Sequence, residues 1–234
     1  MNNWQLDLMT DLSRTTSMQD ILDISQKSVR GLGFDFCAWQ SQLPLPLTKR
    51  RSFGLSTTDD KAHSKGRAGG YDESPAMKHC AKSTTPFTWL GTTDDEVFHQ
   101  APTLFEEYYS FGHRGGWAQS IIDSYGLYSV FVADSANPFE QQDLDNVDLH
   151  LQWIATAVHS SMLRVRDTVT QAALSMRETE ILRWTGDGKT AEEIGIILNL
   201  NHNTINFHLR NAMHKLEANN KTAAVVKAIF LRLL

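Results

Sequence analysis

Between Leu174 and Leu234 the chain writes the same helix-start device twice, and that repetition constrains the fold more than any other feature. Ser175 followed three residues later by Glu178 is a capping box: the hydroxyl accepts from a first-turn backbone N–H while the carboxylate reaches back to the N-cap N–H. Thr190 and Glu193 repeat the pattern, and Gly188 between them supplies a helix stop. The first helix then carries Leu182 and Trp184, and the second places Ile194, Ile197 and Leu198 on one face. A third helix is predicted from an Asn201 N-cap through Lys215 and Leu216.

At 100° per residue this third helix has two unlike faces. Ile205, Leu209, Ala212, Met213 and Leu216 form a core stripe, while Asn203, Asn206, Phe207, Arg210 and His214 gather opposite. Asn and Arg carry the paired groups that match adenine N6/N7 and guanine O6/N7 in the major groove, so Asn206 and Arg210, with Asn203, are the candidates for base contacts. His208, Thr204 and Lys215 flank them, where phosphate contacts are expected. A solvated polar face on a small helical bundle is the competing reading.

The segment resembles the four-helix, wingless helix-turn-helix domain of LuxR/FixJ-type transcription factors. Ser175, Arg177-Glu178, Glu180, Leu182, Trp184, Gly188-Lys189-Thr190, Glu193-Ile194, Leu198, Asn203-Thr204-Ile205, His208, Asn211, Lys215-Leu216 and Asn220-Lys221 carry the resemblance across the whole module. It implies that the third helix enters the major groove and that Lys189 and Thr190 lie near phosphates. A fourth helix, Lys221 to Leu233, has Thr222, Val225, Val226, Ile229 and Leu233 on one stripe and Ala224, Ala228 and Leu231 on the other. One stripe closes the small core; the other asks for a partner. In the family this helix pairs across a two-fold, so Thr222, Val225, Val226 and Ile229 are the dimerisation candidates. The partner is then double-stranded DNA bearing an inverted repeat, with half-sites about one turn, roughly 10 bp, apart.

Charge agrees in sign. Residues 174–234 carry eight Lys/Arg and six Asp/Glu, a balance of +2 in a chain whose total is −5. Affinity should therefore rest on a few placed contacts and on dimerisation. Cys37 and Cys80 suit a reducing cytosol, and the absence of a signal peptide or a long apolar run gives a cytoplasmic, membrane-free expectation. No cofactor, metal or enzymatic chemistry is expected. His79 beside Cys80 is a poor base for it, since sequence neighbours rarely face one another. His202, His208 and His214 spread around their helix, and the pairs Gly31/Gly33 and Gly115/Gly116 lack phosphate-loop spacing and read as turns.

Residues 1–165 read as a separate regulatory domain joined through a 166–173 linker to the 174–234 module. Leu6, Leu8, Met9 and Leu12 suggest a short helix, and Ser17 caps a second one through Gly31 with Ile21, Leu22, Ile24 and Val29 inward. Phe34 to Gln40 alternates as a strand broken by Pro44 and Pro46, and Arg51 to Leu55 returns antiparallel. Glu96 to Phe111 is predicted helical, Trp117 to Ile122 and Tyr128 to Ala133 form a hairpin about Ser124-Tyr-Gly126, and Glu140 to Leu163 is a closing helix. The expected class is α+β: an antiparallel sheet with helices on both faces, followed by an all-α helix-turn-helix domain.

This half resembles the acyl-homoserine-lactone-binding domain of quorum-sensing LuxR-type regulators. Gly33-Phe34-Asp35, Pro44 with Pro46-Leu47-Thr48, Ser74-Pro75, Thr85-Pro86-Phe87-Thr88-Trp89, Gly112-His-Arg114 with Gly116-Trp117, and Gly126-Leu127 carry it. The resemblance implies a pocket in which a tryptophan donates to the lactone carbonyl, an aspartate before the proline accepts the amide N–H, and a tyrosine touches the amide oxygen. Here Ser74 holds the aspartate position, Lys61 and Lys65 fall near the other two, and Val132 stands where a hydroxyl residue is common. A missing acceptor for a buried amide N–H costs roughly 1–3 kcal/mol, so these losses argue against a lactone ligand. The polar stretch Ser56 to Gly70 reads as a loop rather than a packed lid. Trp39, Ser74, Phe87, Trp89, Phe105, Trp117 and Phe131 are the candidates for a pocket wall, or the aromatics among them simply fill the core.

The expectation is thus a dimeric regulator that acts independently of acyl-homoserine lactone. Two alternatives are a ligand switch in which Lys61 and Lys65 meet an acidic or polar metabolite, and an anti-activator that works through heterodimers. Activation would also need contacts with RNA polymerase, which no motif marks.

Overall fold

The computed structural model describes residues 3–42, 52–58, 61–67, 69–122, 128–169, 174–231 and 233–234. The chain divides into two compact units, Met1–Arg166 and Asp167–Leu234. In the first, helices α1 (Trp4–Arg14) and α2 (Met18–Arg30) precede strands β1 (Phe36–Gln42) and β2 (Ser52–Ser56). Helices α3 (Lys61–Arg67) and α4 (Pro75–Cys80), strand β3 (Phe87–Trp89), helices α5 (Glu96–Gln100) and α6 (Pro102–Ser110), strands β4 (Gly116–Ile122) and β5 (Tyr128–Asp134), and helix α7 (Gln141–Val169) follow. The five strands form one antiparallel sheet in the order β2-β1-β5-β4-β3.

Period-2 alternation divides the sheet into two faces. Cys37, Trp39, Trp117, Phe131 and Ala133 join a core with α1, α2 and α7, including Leu12, Ile21, Leu22, Leu151 and Val158. Ala118, Val130 and Val132 join the other core, with Met77 and Cys80 of α4, Trp89 of β3, and Phe98 and Phe105 of α5 and α6. Burial of the Cys37 thiol pushes its pKa well above the ordinary range and pushes that of Cys80 up to about 12, so both stay protonated and inert at neutral pH.

Several elements differ from the sequence reading. The helix predicted over Glu96–Phe111 is two, interrupted at Ala101 (φ −153°, ψ 62°), because Pro102 disfavours helical backbone in the residue before it. The stretch read as a loop contains α3, which packs against β2. Closing helix α7 runs on to Val169, past its predicted end at Leu163. Gly115 and Gly116 are buried and make no simple turn: a Cβ on Gly116 would overlap the Trp89 ring, whose indole N–H donates to the Arg114 carbonyl (2.7 Å). The Pro44/Pro46 break, Asp59-Asp60, the turn at 124–126 and linker residues 170–173 lie outside the described residues.

The second unit comprises α8 (Met176–Gly186), α9 (Ala191–Leu198), α10 (His202–Lys215) and α11 (Lys221–Phe230). Both capping boxes are formed, at Ser175/Glu178 and Thr190/Glu193, and Asn201 caps α10 through a bond from Thr204 N–H (2.9 Å). Asn199, in the left-handed region at φ 54°, ends α9, and α10 follows within a few residues. Ile181, Leu182, Ile194, Ile205, Leu209, Ala212, Leu216, Ala224, Val225 and Ala228 make the core. Ile197, predicted inward, is 44% exposed, and Gly195 takes the contact side beside Ile194: a Cβ there would strike the Leu200 carbonyl.

Candidate nucleic-acid interface and ligand pocket

Side-chain contacts anchor both ends of α10. Asn201 holds the N-terminus, while Lys215 at the other end reaches across to Glu178 of α8 (Nζ to Oε2, 2.7 Å). That carboxylate is buried at 4% exposure and also closes the first capping box by accepting from Ser175 N–H (2.7 Å). Burial pushes the Glu178 pKa up, but Lys215 and the Ser175 backbone together outweigh it and hold the carboxyl below its ordinary range. Lys215, expected to meet phosphate, ties α10 to α8 through this buried partner while 40% of its side chain stays exposed.

Between these anchors α10 turns Asn203, Asn206, Phe207, Arg210 and His214 outward, all exposed, and buries Ile205, Leu209 and Ala212. Among the described residues neither the Asn206 nor the Arg210 side chain has an intramolecular hydrogen bond or ion pair. Lys189 and Thr190 are exposed at the start of α9, where the Thr190 hydroxyl accepts from Glu193 N–H (3.2 Å). His208 is half-buried, and the Thr204 hydroxyl donates to Asn201 Oδ1 (3.1 Å). On α11 the predicted partner stripe separates. Val225 is buried in the domain core beside Ala224 and Ala228, which removes it from the free face, whereas Thr222 and Ile229 are exposed and Val226 is half-buried.

The first unit contains a cavity of about 140 Å3 on the sheet face opposite α1, α2 and α7. Ala38 and Gln40 of β1, Gly54 and Ser56 of β2, Val132 and Asp134 of β5 form its floor, and Tyr71, Ser74, Met77, Trp89, Phe105 and Tyr108 are among its wall residues. Of the predicted wall residues, Trp39, Ser74, Trp89 and Phe105 line it. Trp117 and Phe131 do not, because strand alternation turns both into the opposite core. Phe87 also stands outside the lining, packed between His79 and Trp89 along the edge strand. Trp39 borders the cavity from β1, but alternation sends its side chain into the same core as Phe131: its indole N–H donates to Nδ1 of His159 on α7 (3.1 Å), whose Nε2 faces the Gln119 carbonyl (3.4 Å). Burial lowers the His159 pKa to about 4, so the ring is neutral.

Beyond Ser74, the cavity carries polar groups outside the predicted set. Asp134 is 6% exposed and receives the Tyr108 hydroxyl on Oδ2 and His113 Nδ1 on Oδ1 (3.1 Å). The Tyr108 and His113 rings stack at 4.9 Å. The signal lies in β5: Val130, Val132 and Asp134 share one side by alternation, and the strand runs one residue past its predicted end at Ala133. Ser74 uses its hydroxyl to cap α4, accepting from Met77 N–H (3.3 Å). Lys61 is exposed, and Lys65 is paired with Glu107 and sits 5.4 Å over the Tyr71 ring; neither lysine lines the cavity.

Among the described residues no helix is long and apolar enough to cross a membrane, and no cluster of His, Cys, Asp or Glu is placed to hold a metal ion. Residues 17–162 match the autoinducer binding domain family and residues 172–228 match the bacterial regulatory proteins of the luxR family. The transcriptional activator protein AnoR of Acinetobacter nosocomialis is 30% identical over 100% of both chains, and the transcriptional activator protein SolR of Ralstonia nicotianae is 34% identical over 88% of each. A crystal structure of Escherichia coli SdiA superposes with a TM-score of 0.81 at 24% identity, covering 98% of this chain and 97% of that one. With both family matches in this order and a relative 30% identical over its whole length, the chain belongs to the LuxR family of quorum-sensing transcriptional regulators.

Proposed function

We propose that this regulator binds an inverted-repeat operator as a homodimer and does so without acyl-homoserine lactone. The observation that carries lactone independence is the state of Ser74: at the rim where the family resemblance expects a carboxylate, a hydroxyl caps α4 and offers no anionic acceptor to an amide. Exposed Lys61 and paired Lys65 supply neither the indole donor nor the phenol expected near them.

On the DNA side, Asn206, Arg210 and Asn203 are the base-reading side chains, with Lys189, Thr190, Thr204 and His208 toward phosphates. Thr222, Val226 and Ile229 are the dimer-facing residues of α11. The exposed, uncommitted Arg210 favours direct DNA binding over an anti-activator that acts only through heterodimers. Selection from a random-sequence DNA pool tests this: an inverted repeat with half-sites about one turn, roughly 10 bp, apart is expected, and Arg210→Ala should lose it. Recovery of a soluble protein only when submicromolar lactone is present during expression would overturn lactone independence.

A further inference from the structure

The cavity opposite α7 has an acceptor, but in a different place from the one the family resemblance implies. Its walls are apolar and rich in rings, with Trp89, Phe105 and Tyr108 facing the same space. Gln40 is held by Asp72 (Nε2 to Oδ1, 3.0 Å), and Ser74 is occupied as a cap. Asp134, more than nine-tenths buried, is the carboxylate of the lining, beside the polar side chains of Ser56, Thr58, Tyr71 and His113. The two oxygens of a carboxylate offer about four acceptor sites. Tyr108 and His113 supply one donor each.

We propose that this pocket binds a compact ring compound bearing one hydrogen-bond donor, an aromatic alcohol or amine, whose O–H or N–H is accepted by Asp134. The proposal rests on the reading that the pocket is not tuned to a lactone amide. Size and chemistry point the same way. At about 140 Å3 the space is close to that of engineered cavities that take up a single benzene ring. Aromatic walls favour a ring through offset and edge contacts. A carboxylate at the wall repels an acidic ligand and rewards a donor, and the pairing of Lys65 with Glu107 removes the cation that an acidic metabolite would need.

The test titrates full-length protein calorimetrically with p-ethylphenol, β-phenylethylamine and ethylbenzene, which share shape and differ in the donor. At least one donor-bearing probe should bind roughly tenfold or more tighter than ethylbenzene, the loss expected when a hydrogen bond to a charged group is missing. Asp134→Asn should collapse that difference. Val132→Phe, which fills the floor and leaves the Tyr108 and His113 bonds in place, should weaken every probe, and it decides the matter if Asp134→Asn fails to fold. Equal binding of ethylbenzene and both donors, no binding by any probe, or binding unchanged by Val132→Phe would overturn the proposal. Operator binding measured in parallel separates the two readings: selective DNA binding by the unliganded protein stands if only the ligand assignment fails, whereas selective DNA binding that appears only after octanoyl-homoserine lactone is added would overturn lactone independence itself.

Discussion

The two units place their specificity in opposite ways. In the C-terminal unit the candidate reading residues lie on one helix at spacings of three and four and point outward from a core made by the same helix. In the N-terminal unit the cavity draws on β1, β2, β5, α4, α6 and the segments between them, so residues nearly a hundred positions apart face one space. The first arrangement tolerates change in everything except a few exposed side chains. The second depends on burial, where a single exchanged carboxylate or hydroxyl alters which ligand can be satisfied. A family can therefore keep its DNA reader while individual members change what their pockets accept.

The largest effect that would sharpen this contrast is on DNA. Arg210→Ala should cost about 1–3 kcal/mol at each half-site, and twice that in a symmetric dimer, while leaving the unfolding temperature unchanged. Fluorescence anisotropy and thermal melts on the same samples check both halves of that statement.

Next comes an acid sensitivity of the regulatory unit. The unfolded chain protonates His159 near its ordinary value of 6.5, whereas the folded ring resists until about 4. Stability is then complete above pH 6.5 and drains as pH falls toward 4, by about 3 kcal/mol for this one group. His159→Asn, which keeps an acceptor for the Trp39 indole, should flatten that part of the denaturant-versus-pH curve. An unchanged curve would contradict the account of the Trp39–His159 contact.

Smaller still, Glu178→Ala removes a capping box and a charge-assisted bond from the DNA-binding unit and should cost about 2 kcal/mol of its stability. Because Glu178 sits below its ordinary pKa, the stabilisation it provides is present above the ordinary carboxylate range and is lost as pH falls through the folded value. The smallest effect is expected from Lys189→Ala, which should weaken all DNA sequences alike and shallow the slope of log affinity against log salt by about one per protomer.

How much was legible follows from where the information sits. Caps and periodicity are local, so Ser175/Glu178, Thr190/Glu193 and Asn201 announced three helices, and the hairpin of β4 and β5 followed from alternation. Long-range partners were not legible. Nothing local marks Lys215 as the mate of Glu178, and nothing marks Val225 as core rather than interface, because an isolated helix with two apolar stripes does not say which one its own domain covers. The pocket suffered most. Aromatic residues could be named, but the face on which each lies depends on strand register, which turned Trp117 and Phe131 away and brought Asp134, Tyr108 and His113 together. Helix α3 escaped notice because its sequence, Lys-Ala-His-Ser-Lys-Gly-Arg, lacks an apolar stripe.

The most direct test of the central claim is an anisotropy titration of an inverted-repeat DNA library with protein purified from a host that makes no acyl-homoserine lactone, with and without added lactones. Tight, sequence-selective binding that lactone does not alter is the predicted result. Selective binding that appears only when lactone is added would contradict the account and return the amide acceptor to the pocket by a route that Ser74 does not provide.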